Sequence, residues 1–171
     1  MSRTSLQDTQ SVQDPQYAYN FDLIFQTIPG AGSNAAQEVR IKCTSTTIPE
    51  STLEQVVLEN KSSRLHFAGR RVWSGTWNAT MFETRSGSTR DSILGWQELA
   101  RSLVANTGTY KTVYSVVAEI VLYDDVPNVV RRIRVHGVFP TSTGSPQLSS
   151  ASEIVNYDVT FSYDYTEDVP V

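Results

Sequence analysis

The sequence predicts a mainly β fold, a two-sheet β-sandwich or small barrel of about seven strands with one packed α-helix. Three observations carry this prediction. Val155, Tyr157, Val159, Phe161, Tyr163 and Tyr165 alternate with Asn156, Asp158, Thr160, Ser162 and Asp164, the period of a half-buried strand. Val, Thr and Tyr are plentiful and lysine is scarce, a composition that fits a pleated surface. Only one segment carries a helical apolar stripe.

The elements follow in chain order. Residues 1–18 are polar, with Gln7, Gln10, Gln13 and Gln16 three apart, and read as a flexible N-terminal arm. A strand is expected over 19–28, with Tyr19, Phe21, Leu23 and Phe25 on one face, then a turn at Pro29–Asn34. A second strand is expected over 37–47, where Val39, Ile41 and Cys43 alternate with Glu38, Arg40, Lys42 and Thr44. Residues 52–68 form an extended excursion with a polar centre at Glu59–Ser63, closed by Gly69. A strand over 73–83 would place Trp73 and Trp77 on one face.

The helix is capped by Ser88 or Thr89 and carries Ile93, Trp96, Leu99 or Ala100, and Leu103 on its stripe. Asn106 and Gly108 end it. Strands over 113–124 and 128–139 flank a hairpin loop, Asp124–Pro127. The register that keeps Pro127 out of the ladder pairs Glu119 with Arg132 and Ala118 with Ile133. A loop over Pro140–Ser152 leads to the final strand. Residues 19–166 read as one domain and 167–171 as a C-terminal tail, as the length of 171 residues suggests.

Composition narrows the function. Net charge is −4, so a general nucleic-acid-binding domain is not expected. The longest strongly apolar stretch, Tyr114–Tyr123, is too short and too polar for a membrane helix, so no membrane insertion is expected. Met1–Gln16 has no apolar core of a secretion signal. The single cysteine, Cys43, sits beside apolar neighbours and reads as a packed thiol. His66 and His136 have no partner at metal-ligand spacing, and no nucleophile elbow or phosphate-binding loop occurs. No catalytic residue, cofactor or metal is therefore expected. Basic residues gather at Arg70-Arg71 and at Arg131, Arg132 and Arg134 with His136 beyond. Glu119 faces the second group, and cross-strand or intersubunit pairing is the leading reading.

Several motifs, in order, carry a resemblance. They are Cys43-Thr44-Ser45-Thr46-Thr47-Ile48-Pro49, Ala68-Gly69-Arg70-Arg71-Val72-Trp73, and Gly95-Trp96-Gln97-Glu98-Leu99-Ala100. Ile133-Arg134-Val135-His136-Gly137-Val138-Phe139-Pro140-Thr141 follows, then Gly144, Gln147-Leu148, Glu153-Ile154 and the closing Asp164-Tyr165. Over about residues 19–165 the chain resembles the tail tube proteins of contractile-tailed bacteriophages.

The resemblance implies a structural subunit that self-assembles into stacked hexameric rings. Inner sheets join into one continuous β-barrel, and genome DNA leaves through the lumen without sequence-specific binding. The implied partners are further copies of the chain and the tail sheath, tape-measure, baseplate and tail-terminator proteins. The implied location is the virion tail, after synthesis in the bacterial cytoplasm. Against that frame Glu54, Val57, Glu59, Asn60, Lys61 and Arg64 are candidates for an inter-ring loop. Glu38, Arg40, Lys42, Glu119, Arg132 and Arg134 are candidates for a luminal or intersubunit polar face. Six chains would carry a net charge of about −24 per ring, a field that disfavours DNA adhesion. Two alternatives stand beside this reading. One is a tube subunit of a bacteriocin or secretion-type injection system. The other is a carbohydrate-binding sandwich that uses Trp73, Trp77 or the tyrosines as a platform.

Overall fold

The computed structural model describes residues 16–61, 63–146, 148 and 153–171. Most of the expected arm 1–18, and Gln147 of the resemblance motifs, lie outside the described residues. The elements are β1 (Phe21–Phe25), α1 (Ala35–Lys42), β2 (Cys43–Thr46), β3 (Ser51–Asn60), β4 (Ser63–Trp73), β5 (Thr76–Phe82), α2 (Ser88–Ala100), α3 (Lys111–Tyr114), β6 (Val116–Tyr123), β7 (Val129–Thr143), β8 (Asn156–Ser162) and β9 (Tyr165–Val169). The mainly β class holds, with nine strands and two short helices beside the expected one among the described residues.

Seven strands form one antiparallel sheet folded into two leaves at β7. The first leaf runs β1–β6–β7–β9. The second runs from the last third of β7 through β8 and β5 to β2. The strand switches leaf at Gly137, whose φ is 71°. A Cβ there would lie 2.0 Å from Asp164 Oδ2. That carboxylate is held by Lys111 Nζ at 2.6 Å, and the Asp164 amide donates to the His136 carbonyl at 2.9 Å. The pair His136-Gly137 and the pair Asp164-Tyr165 thus form one corner. Pro140 lies inside β7, where a loop was expected. It is tolerated because this part of β7 pairs on one side only, with β8.

The core lies between the leaves. Trp96 from α2 meets Phe25 edge-on at 5.8 Å, and Phe161 meets Phe25 at 5.6 Å and Trp77 at 5.2 Å. Each such aromatic pair adds about 1 kcal/mol beyond its burial. The two indole N–H groups are satisfied, Trp77 by Thr46 Oγ1 at 2.8 Å and Trp96 by the Tyr114 carbonyl at 2.5 Å. Ile93 and Trp96 face inward as expected, but α2 ends at Ala100 and Leu103 is exposed.

Other expectations are corrected. Residues 35–42 are helical, not the start of a strand. Ala35, Val39 and Lys42 share the buried face, at i, i+4 and i+7, while Ile41 is 65% exposed. The apparent alternation of Val39, Ile41 and Cys43 yields to that helical stripe. Trp73 ends β4 and Trp77 lies in β5, separated by a turn at Gly75 (φ 73°), so they do not share a strand. Glu119 pairs with Arg134, not Arg132, and Ala118 with Val135. Irregularities near both ends of β6 absorb the difference. Over Ala118–Leu122 the slip is two residues, so those side chains keep their expected face, whereas beyond Gly137 the alternation shifts and Val138 is buried. The C-terminal segment 167–171 begins inside β9, because Glu167, Asp168 and Val169 pair with β7.

Replacing Gly137 with Ala should strain a left-handed backbone and expel Asp164 from Lys111. A loss of about 3 kcal/mol is expected in urea denaturation.

Candidate functional site: a projecting hairpin and a charged leaf

β3 and β4 form a hairpin separate from the main sheet. All ten residues of β3 are exposed. The register sets Val56 opposite Phe67 and Leu58 opposite Leu65, so these four make one apolar face. Val57 and Glu59 lie on the other face, opposite His66 and Arg64. Lys61 sits in the tip with φ 41°. Ion pairs stitch the strands, Glu59 to Arg64 and Glu54 to Arg70 Nε at 2.8 Å. The register shifts between Leu53 and Gln55, and Gly69 lies against this bulge, where a Cβ would come within 2.9 Å of the Glu54 carbonyl. This explains the glycine and the first arginine of Ala68-Gly69-Arg70-Arg71-Val72-Trp73. The expected loop residues Glu54, Val57, Glu59, Asn60, Lys61 and Arg64 all belong to this hairpin.

The outward face of the first leaf carries a row of paired charges. Arg134 donates to Glu119 Oε1 through Nε at 3.1 Å and Nη2 at 3.0 Å, and through Nη1 to Glu167 Oε1 at 3.3 Å. Arg132 Nε lies 3.8 Å from Glu119 Oε2. His136 Nε2 lies 3.0 Å from Glu167 Oε1, with its ring stacked on Tyr165 at 4.5 Å. Glu119 holds the Arg134 guanidinium charged beyond its usual range. The bond to His136, and after it Arg134, holds the Glu167 carboxyl below the usual carboxylate range.

Of the six expected polar-face residues, Glu119, Arg132 and Arg134 meet here. Arg40 touches the same leaf through Asp22, at 2.5 Å. Glu38 and Lys42 do not join it. Lys42 turns inward and donates to Thr89 Oγ1 at 2.6 Å, Thr84 Oγ1 at 3.1 Å and Glu38 Oε2 at 3.2 Å, with Glu83 at 3.8 Å. Sequence reasoning missed Glu167 and Asp168. The available signal was charge complementarity between Glu167-Asp168 and Arg131–Arg134.

The other candidates resolve simply. Trp77 is buried and offers no glycan platform, whereas Trp73 is half-buried at the end of β4 and packs on Tyr165. Burial pushes the Cys43 thiol up to about 11, which suits a packed side chain. Among the described residues no group of three metal-ligating side chains occurs. No described helix is long and apolar enough to cross a membrane.

No protein-family profile matches the sequence. The fold is shared with components of contractile injection systems. The sheath–tube complex of an extracellular contractile injection system, PVC, superposes with a TM-score of 0.66 at 15% identity, over 99% of this chain and 100% of that one. The tube-terminating cap of the anti-feeding prophage gives 0.68 at 18% identity, over 94% and 95%. In sequence the chain is similar to tail tube protein gp19 of Enterobacteria phage T4, 27% identical over 139 residues, which cover 79% of this chain and 85% of the relative. The corresponding protein of phage T6 is 26% identical over the same shares. In sequence the chain is thus similar to phage tail tube proteins, and in fold to components of contractile injection systems.

Three outcomes are expected. Lys42→Ala removes the cation from a joint where Glu38 and Glu83 keep only hydroxyl and amide partners, and should cost about 3 kcal/mol in urea denaturation. Glu167 has a lower pKa folded than unfolded, so its stabilisation is present at neutral pH and is lost as pH falls through the lowered value. Glu167→Gln should therefore flatten the acid limb of a plot of urea midpoint against pH. Cys43 should react with a thiol reagent at pH 8 far more slowly than a free cysteine.

Proposed function

We propose that the chain is a structural subunit of a contractile phage tail tube. It self-assembles into stacked hexameric rings, and its function is assembly rather than catalysis. The β3–β4 hairpin carries this reading. An isolated two-stranded hairpin is marginal in water, and this one exposes Val56, Leu58, Leu65 and Phe67 together. Burial against an adjacent ring stabilises it, with Glu54, Val57, Glu59, Asn60, Lys61 and Arg64 at that contact.

The first leaf supports ring closure. Among the described residues β1 pairs only with β6 and β9 only with β7, which leaves two open edges, and joining such edges between neighbours removes the liability of each. The outward face of that leaf then lines the lumen. Its Arg134 is already committed to Glu119 and Glu167, so DNA phosphates meet few free cations and slide past. In this reading the partners are sheath, terminator, baseplate and tape-measure proteins, and the chain resides in the virion tail after synthesis in the host cytoplasm. The shared fold with PVC and anti-feeding-prophage components favours, as a second reading, the tube of another contractile injection system.

Negative-stain electron microscopy of concentrated protein, alone and seeded with baseplates, should reveal hollow rings or tubes about one subunit thick in their walls. Monomers under both conditions would refute the tube. Val57→Pro should abolish the tubes while β-type circular dichroism persists, because the hairpin lies outside the core.

A further inference from the structure

Between the hairpin base and the first leaf lies a polar cleft of about 380 Å³, lined by Ser51, Arg71, Trp73, Arg131, Thr166 and Asp168, among others. Arg131 is committed there. Its Nε and Nη2 donate to the two carboxylate oxygens of Asp168 at 2.9 and 2.8 Å. Arg71 is not committed. Its Nη1 donates to Ser51 Oγ at 3.0 Å, which fixes the guanidinium over the cleft, and it has no carboxylate partner among the described residues. The cleft therefore presents one uncompensated positive charge beside two hydroxyls, Ser51 and Thr166. Trp73 forms a wall, braced edge-on by Tyr165 at 6.2 Å. A single carboxylate is the complement of this arrangement, since guanidinium pairs such groups in a planar fork. Arg71 and Trp73 are also the part of the Ala68–Trp73 motif that the hairpin bulge leaves unexplained.

We propose that this cleft binds a carboxylate of the neighbouring copy's Asp124-Asp125 turn. The inference rests on the ring reading. Rotation about a ring axis keeps all copies level. Arg131 lies opposite Leu122, at the same end of the leaf as Asp124 and Asp125. Asn20 Nδ2 donates to Asp125 Oδ1 at 3.2 Å, which draws this turn toward the open β1 edge. If β9 of one copy joins β1 of the next, the turn arrives beside the cleft. Neither Asp124 nor Asp125 has a basic partner among the described residues.

The first test uses Arg71→Lys with a water-soluble carbodiimide. A primary amine touching a carboxylate condenses to an amide, and the water lost converts the carbodiimide to its urea. Equal amounts of ¹⁴N- and ¹⁵N-labelled variant are mixed at high concentration. Mass spectrometry should find position 71 joined to the 124–125 peptide, with mixed isotopic labels. A link confined to one label, for example to Asp168, or no link, overturns the proposal. The second test compares assembly of wild type, Arg71→Glu, and Arg71→Glu with Asp125→Arg. Charge reversal should lower the assembled fraction about tenfold and the swap should restore it. Wild-type tubes with equally abundant Arg71→Glu tubes would overturn the cleft and leave the tube reading intact. Absence of wild-type tubes would refute the tube reading, and the cross-link would then decide the cleft alone.

Discussion

The two leaves depend on one strand changing direction without losing its hydrogen bonds. β7 pairs with β9 as far as His136, with β6 as far as Val138, and with β8 from Phe139 onward. The left-handed glycine turns the chain, and the space its missing side chain leaves is filled by Asp164. That carboxylate sits where β8 gives way to β9, so the same contact sets the second leaf and returns the chain to the first. Lys111 anchors it from α3, beside the Tyr114 carbonyl that receives Trp96. Core packing, leaf geometry and the position of the open β9 edge all follow from this corner.

Much of this was legible because burial imposes a period. Tyr157, Val159, Phe161 and Tyr163 are all buried, as their alternation requires, and Ile93 and Trp96 mark the main helix. In the middle of the β6–β7 ladder the expected pairing differs by two residues, which preserves the pleat, while the irregularities at its ends are invisible to a simple alternation. The errors arose where local pattern was ambiguous. Val39, Ile41 and Cys43 fit period two, but three apolar residues cannot separate a strand from a short helix. What decides is Lys42, a charged residue that finds enough hydroxyls and carboxylates to be buried. β9 escaped notice because Glu167 and Asp168 look like a solvated tail until Arg131 and Arg134 are placed beside them.

The candidate site was legible in part for the same reason. The polar centre of residues 52–68 marked a tip, and the hairpin is there. Its apolar face was harder to see, because Val56, Leu58, Leu65 and Phe67 come together only through a register that no single strand specifies. Glu119, Arg132 and Arg134 do lie together on one leaf, whereas Glu38 and Lys42 join them only if residues 37–47 are a strand, and residues 35–42 are a helix.

The length of β7 has a mechanical meaning. A pull along that strand loads the ladders to β6, β8 and β9 in shear, so their hydrogen bonds resist together rather than one after another. The hairpin has no such sharing. It joins the body through the Trp73–Tyr165 contact, the Tyr163 hydroxyl on the Glu50 carbonyl, and the chain itself. Under load the body would hold as a unit while the hairpin peeled, so the elastic element and the rigid element of the subunit are separate pieces of the same chain.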